Sequence, residues 1–208
     1  MRKAVIWDLD GTLFDSYDVI VDSIHATFQE LNIPISRKEI HRHAIVFSIK
    51  SLFAKVVEEY GVSDDQLYLR YSQISQGKHL EIKAMHHAKD VLRLLEEKGV
   101  ENYVFTHRGR TTNPVLENLN MASFFREVVT SQSGFARKPA PDGILYLVEK
   151  YGLEPENTYY VGDRSMDMEC AKNAGVSGIL FLPERSTDVS GGGERYIVKD
   201  LLEILKIV

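Results

Sequence analysis

The chain has one cysteine, Cys170, among 208 residues. A single thiol closes no intramolecular disulfide and builds no zinc site alone, so a disulfide scaffold is excluded. Basic charge is not in excess either: 25 Lys+Arg stand against 30 Asp+Glu, for a net charge of -5. Non-specific binding to nucleic acid or to an anionic membrane needs concentrated Lys and Arg, and neither partner is expected. An anionic small molecule stays open, because a few local cations or a metal suffice for it. No apolar stretch approaches the ~18 residues of a membrane span. The run Ala4–Trp7 ends at Asp8 and is too short for the apolar region of a signal peptide, so the cytoplasm is the expected compartment. Low complexity is confined to Ser190–Gly193, which reads as a short flexible loop.

What is there is ordinary globular composition, 44% hydrophobic and 26% charged, in a chain long enough to bury its own core. Short apolar runs at Ala4–Trp7, Tyr103–Phe105, Val128–Val129, Thr158–Val161, Gly178–Leu182 and Tyr196–Val198 read as buried strands. Helical patterns separate them, with Gly99, Gly152 and Gly175 just past three of their ends as left-handed stops. Strand–helix alternation predicts an α/β fold with a doubly wound parallel sheet. One stretch breaks the rhythm. From Asp18 to Glu81 there are four helical patterns and no strand, with Gly61 and Gly77 as expected stops. Residues 17–83 therefore read as a small helical domain inserted into a core made of 1–16 and 84–208, with hinges near Ser16–Tyr17 and Ile82–Met85.

Four polar signals follow strands, at the edge where open α/β sheets bind ligands. The first is Asp8-Leu9-Asp10-Gly11-Thr12, continuing to Asp15-Ser16. Residues two apart on extended chain point the same way, so Asp8 and Asp10 face one site. Like charges that close are costly unless a cation or an anion-transfer chemistry uses them. Gly11-Thr12 reads as a tight turn with free backbone N–H groups. Thr106 then ends the second strand, Lys138-Pro139 lies in a loop before a helix, and Gly162-Asp163 with Asp167 follows the fourth strand. There both carboxylates can approach one cation.

This ordered quartet resembles the haloacid dehalogenase-like hydrolases across essentially the whole chain, and the insert's position resembles their helical-cap branch. The resemblance implies a Mg²⁺-dependent phosphatase of a small phosphorylated metabolite, acting as a monomer or weak homodimer, with an inserted cap that closes over the substrate. Asp8 is implied as the nucleophile that forms an aspartyl-phosphate, and Asp10 as acid and then base. Thr106 and Lys138 are implied to hold the phosphoryl oxygens, together with backbone at Leu9, Gly11 and His107. Mg²⁺ is implied on the Asp8 carboxylate, the Asp10 carbonyl and Asp163, with Asp167 orienting ligands or Lys138. A cis peptide before Pro139 is a further family expectation.

Departures from the family pattern leave some roles open. His107 stands where relatives often carry Asn, so its backbone is expected at phosphate while its ring is within reach of the leaving group. The apolar segment Ala44–Lys50 replaces a glycine turn of the cap and suggests a less polar leaving group. Arg42, Lys50 and Arg110 are candidate specificity cations. His41 with His43, and His86 with His87, lack the i, i+4 spacing that puts two ligands on one helix face, and His86 and His87 are expected to point apart, so no zinc site is expected. A phosphomutase shares every core residue and remains an alternative, as does a phospho-aspartate binding module. A haloacid dehalogenase needs neither a second acid nor a metal, which Asp10 and Asp163 argue against.

Overall fold

A computed structural model describes residues 2–183 and 193–208, with Ile45 and Val46 described by their backbone alone. Ser190–Gly192 of the expected loop, and the side chains of Ile45 and Val46 in the Ala44–Lys50 segment, lie outside the described residues. The chain divides into two compact units, residues 1–15 with 84–208, and residues 16–83.

The larger unit opens with β1 (Ala4–Trp7), and the two-residue strands β2 (Phe14–Asp15) and β3 (Lys83–Ala84) mark where the chain leaves it and rejoins it. The remaining strands are β4 (Glu101–Phe105), β5 (Phe125–Val129), β6 (Thr158–Gly162), β7 (Ser177–Phe181) and β8 (Glu194–Val198). Six of them form one sheet in the order β5-β4-β1-β6-β7-β8, and every pairing is parallel. All six expected apolar runs contribute a strand. The four residues of β1 are buried without alternation, as a central parallel strand covered on both faces requires.

The chain order reverses beside β1, because β4 and β5 build outward on one side and β6 to β8 on the other. Trp7 is level with Val104 on β4 and with Val161 on β6. Residues just past Trp7, Phe105 and Val161 therefore gather at one end of the sheet, at its topological switch point. On one face, Ile6, Tyr103, Phe105 and Tyr160 pack with Ile144, Leu147, Cys170 and Ala171. The last four come from the helices Asp142–Tyr151 and Ser165–Ala174 of the same unit.

Four helices of the smaller unit are α1 (Tyr17–Glu30), α2 (Arg37–Val46), α3 (Ile49–Tyr60) and α4 (Asp64–Lys78). They enclose a core of Ile20, Ile24, Phe28, Ile40, Leu52, Phe53 and Leu67. Ser36, Ser48 and Ser63 cap three of their N-termini through side-chain oxygens. Gly61 ends α3 with φ 67°, as the sequence suggests. Gly77 does not end α4. The helix runs through it to Lys78 and continues as a tighter turn at His79–Glu81, because a glycine stops a helix only where it turns left-handed, and Gly77 does not.

The larger unit adds α5 (Ala88–Glu97), α6 (Thr112–Asn118), α7 (Asp142–Tyr151) and α8 (Ser165–Ala174). No helix among the described residues is long and apolar enough to cross a membrane.

Candidate active site

The carboxyl end of β1 delivers Asp8, whose N–H donates to Val161 O at 2.8 Å and so keeps it in the sheet ladder. The chain then folds back. Leu9 O accepts from the N–H groups of Thr12, Leu13 and Phe14, and Gly11 takes φ 82°, a left-handed angle that favours glycine at the turn. The N–H groups expected to be free at Gly11 and Thr12 are not free. Gly11 N–H donates to Phe14 O at 2.9 Å and Thr12 N–H to Leu9 O at 3.1 Å, so the turn consumes its own donors.

Lys138 is the centre of the site. Its Nζ lies 2.9 Å from Asp8 Oδ1 and 2.7 Å from Asp167 Oδ1, and its side chain is wholly buried. The ammonium also faces the Phe105 and Tyr160 rings, 5.4 and 5.2 Å from their centroids. Burial alone would lower its pKa, but the Asp167 and Asp8 charges win and hold it above the usual lysine value. The peptide joining Lys138 to Pro139 is cis, as expected.

Asp167, on the first turn of α8, is pinned from both oxygens. Oδ1 meets Lys138 and lies 3.3 Å from the Tyr160 hydroxyl, while Oδ2 accepts from Arg164 N–H at 3.2 Å. Burial works to raise its pKa, yet Lys138 and Arg164 hold it below the usual carboxylate range. For Asp8 the balance falls the other way. Burial pushes its carboxyl up, aided by Asp167, and Lys138 offsets this only in part. Asp8 Oδ2 is buried without a hydrogen-bond partner.

One carboxylate oxygen each of Asp8, Asp163 and Asp167 lies within 4.8 Å of the others, and all three residues are buried. A dense anionic cluster with an unpartnered oxygen on Asp8 fits a hard divalent cation with oxygen ligands.

Thr106 is buried at the end of β4, held by its N–H to Val129 O at 3.0 Å. Its Oγ1 accepts from Arg108 N–H at 3.2 Å. The ring of His107 turns to Lys138, whose N–H donates to His107 Nε2 at 2.8 Å. Burial, then Lys138 and Arg137, push the His107 pKa down to about 3, so the ring is neutral and serves as an acceptor.

The sequence reading missed Arg108. Its guanidinium, 8% exposed, pairs with Asp10 Oδ1 at 2.6 Å and lies over the Phe14 ring. Arg110, the cation singled out instead, is exposed. A usable signal was present: Arg108 lies two residues beyond Thr106, the alternation already used to pair Asp8 with Asp10. Tyr160 was also missed as a polar group, since within an apolar strand it reads as core.

The histidine pair expected to diverge does the opposite. The rings of His86 and His87 stack with centroids 3.7 Å apart, because His87 takes a left-handed φ of 60°.

A family model described as haloacid dehalogenase-like hydrolase matches residues 5–181. A phosphoglycolate phosphatase of Pseudomonas putida is 25% identical over 99% of this chain and 79% of its own length. Pyrophosphatase PpaX of Oceanobacillus iheyensis is 26% identical over 99% of this chain and 96% of its own. A crystal structure from Haemophilus somnus, titled as a predicted phosphoglycolate phosphatase, shares the fold with a TM-score of 0.82 at 22% identity. That likeness covers 99% of this chain and 97% of the other.

Proposed function

This chain belongs to the haloacid dehalogenase-like hydrolase family, and we propose that it is a Mg²⁺-dependent phosphatase that acts on a small phosphorylated metabolite through an aspartyl-phosphate at Asp8. The observation that carries the reading is the state of Asp8, a buried carboxylate with one oxygen on Lys138 and the other unpartnered. Such an oxygen is desolvated and not spent on a hydrogen bond, which leaves its electron pair for bond formation, as a nucleophile requires. The names of the relatives, phosphoglycolate phosphatase and pyrophosphatase, support the phosphoryl substrate class.

In this reading Mg²⁺ is held by the Asp8 carboxylate, the Asp10 carbonyl and Asp163. When bound, it supplies charge neutralisation that lets a phosphate dianion approach buried carboxylates. Asp8 attacks phosphorus, forming the phosphorus–oxygen bond as the bond to the leaving oxygen breaks. Asp10 gives that oxygen a proton, then accepts one from the water that attacks the aspartyl-phosphate, releasing inorganic phosphate and restoring Asp8. Arg108 fixes where the Asp10 carboxylate stands between these transfers. The Thr106 hydroxyl, the Lys138 ammonium and backbone N–H groups at Leu9 and His107 hold the phosphoryl oxygens, where charge is spread in the transition state. Gly11 serves the turn, since its N–H is spent on Phe14. Asp167 positions Lys138. The helical unit 16–83 is the cap, and substrate choice within the class depends on it.

Phosphate release from an aryl phosphate, phosphoglycolate, pyrophosphate and a sugar-phosphate panel tests this, with and without Mg²⁺. Turnover that needs Mg²⁺ and vanishes in Asp8→Asn is expected. Turnover that survives chelation, or survives Asp8→Asn, overturns it.

A further inference from the structure

His86, His87 and Asp200 belong to the larger unit and take no part in the chemistry above. His87 precedes α5, and Asp200 precedes the C-terminal turn Leu201–Lys206, 113 residues further on. The Asp200 carboxylate faces the His87 ring with both oxygens, at 2.9 and 2.8 Å from Nδ1. Its Oδ1 also accepts from Leu202 N–H at 2.8 Å, which anchors it to the turn. His86 completes the group by stacking on His87. One ring nitrogen of each histidine and one Asp200 oxygen lie within 4.8 Å of one another.

We propose that these three side chains form a second metal site, for a divalent transition-metal ion of the zinc type, separate from the catalytic carboxylates. Two imidazoles and one carboxylate are the donors such ions take, whereas Mg²⁺ prefers oxygen alone. With bonds of about 2.0–2.1 Å, ligands around a tetrahedral ion stand about 3.3 Å apart. The His87–Asp200 contact needs to open by about half an ångström to reach that spacing. His86 is exposed, so its ring has room to turn toward the ion, and one of its nitrogens already lies within 4.8 Å of the other two ligand atoms. Solvent fills the fourth position, since His87 and Asp200 are themselves 29% and 38% exposed. The ion takes the place of the direct contact between His87 Nδ1 and Asp200, and ties the start of α5 to the C-terminal turn. Binding to the folded chain alone raises its melting temperature by linkage.

The test uses the full chain with ZnCl₂ as titrant, in Mg²⁺ excess to hold the catalytic carboxylates. Calorimetry is expected to show one Zn²⁺ per chain, with a matching rise in Tm. His86→Ala, an exposed change, and Asp200→Asn, which keeps an acceptor for Leu202, are each expected to weaken binding by at least about tenfold. Asp163→Asn is expected to leave Zn²⁺ binding intact. No Zn²⁺ binding by the unaltered chain overturns the proposal. So does binding unchanged in both variants at this site, or binding lost in Asp163→Asn instead.

Discussion

Lys138 Nζ and Asp167 Oδ1 stand 2.7 Å apart, and neither side chain is exposed. A buried ion pair of this kind is weak evidence of net stability, because desolvation offsets its attraction, but removing one partner leaves a naked charge. Here the same ammonium also serves Asp8. Lys138→Met therefore strands two buried carboxylates, and the expected loss is about 3–5 kcal/mol in denaturant unfolding without Mg²⁺. Adding Asp167→Asn to Lys138→Met is expected to recover part of it, since one stranded charge is gone. A double-mutant cycle measures that coupling, and strict additivity would show that the pair is not acting as one unit.

Arg108 and Asp10 give a second expectation. The guanidinium is more buried than the carboxylate it holds, 8% against 22% exposed, so solvent screens the pair in part. Arg108→Met is expected to cost about 1–2 kcal/mol of stability. It frees the Asp10 carboxylate to wander, and misplacing a proton-transfer group by about an ångström costs up to about a hundredfold in rate. A fall in kcat with KM little changed is the expected signature. A rise in KM alone would instead make Arg108 a substrate-binding cation.

The sheet, and the gathering of Asp8, Lys138, Asp163 and Asp167 at its edge, were legible because the strands and the polar residues that follow them rest on short-range rules. An apolar run of strand length, followed by Asp8 or Asp163, places a carboxylate at a sheet edge with no knowledge of its neighbours. Contacts that depend on two distant segments were not legible. Arg108 meets Asp10 across 98 positions, and the two-residue spacing from Thr106 points Arg108 toward the site without naming its partner. His87 hid for another reason: a left-handed backbone is uncommon for any residue but glycine, and nothing local to His87 marks it, so diverging rings were the default expectation for His86 and His87. Gly77 shows the converse, a residue able to turn left-handed that stays in its helix.

His107 carries a pH dependence whose sign follows from its burial. Its folded pKa is pushed down to about 3, below an ordinary value of 6.5. The unfolded chain thus takes up a proton between these limits that the folded chain refuses. Stability is whole above about pH 6.5 and falls with acid through that window, by up to one proton's slope. His107→Asn offers a side-chain oxygen for Lys138 N–H and does not titrate. Unfolding free energies from pH 7 to pH 4 are expected to fall less steeply in the variant. Parallel curves would mean that another group carries the acid slope.

Gly162 has a use that its backbone angle does not explain. It ends β6 without a left-handed angle, so conformational freedom is not the reason for glycine there. The reason is proximity: a Cβ would lie 2.4 Å from Asp167 Cβ and 2.6 Å from Asp167 Oδ2. Asp167 has little room to yield, being held by Lys138, by Arg164 N–H and beside Tyr160. Gly162→Ala is expected to cost about 1–3 kcal/mol through overpacking. It should also lower kcat, because a displaced Asp167 takes Lys138 away from Asp8. Gly175→Ala is the control. It sits at φ 73° with nothing within 4 Å of its Cβ, so it is expected to lose about 1 kcal/mol by backbone strain while kcat holds. Equal kcat in both variants would mean that the Asp167–Lys138 pair does not set the position of the nucleophile.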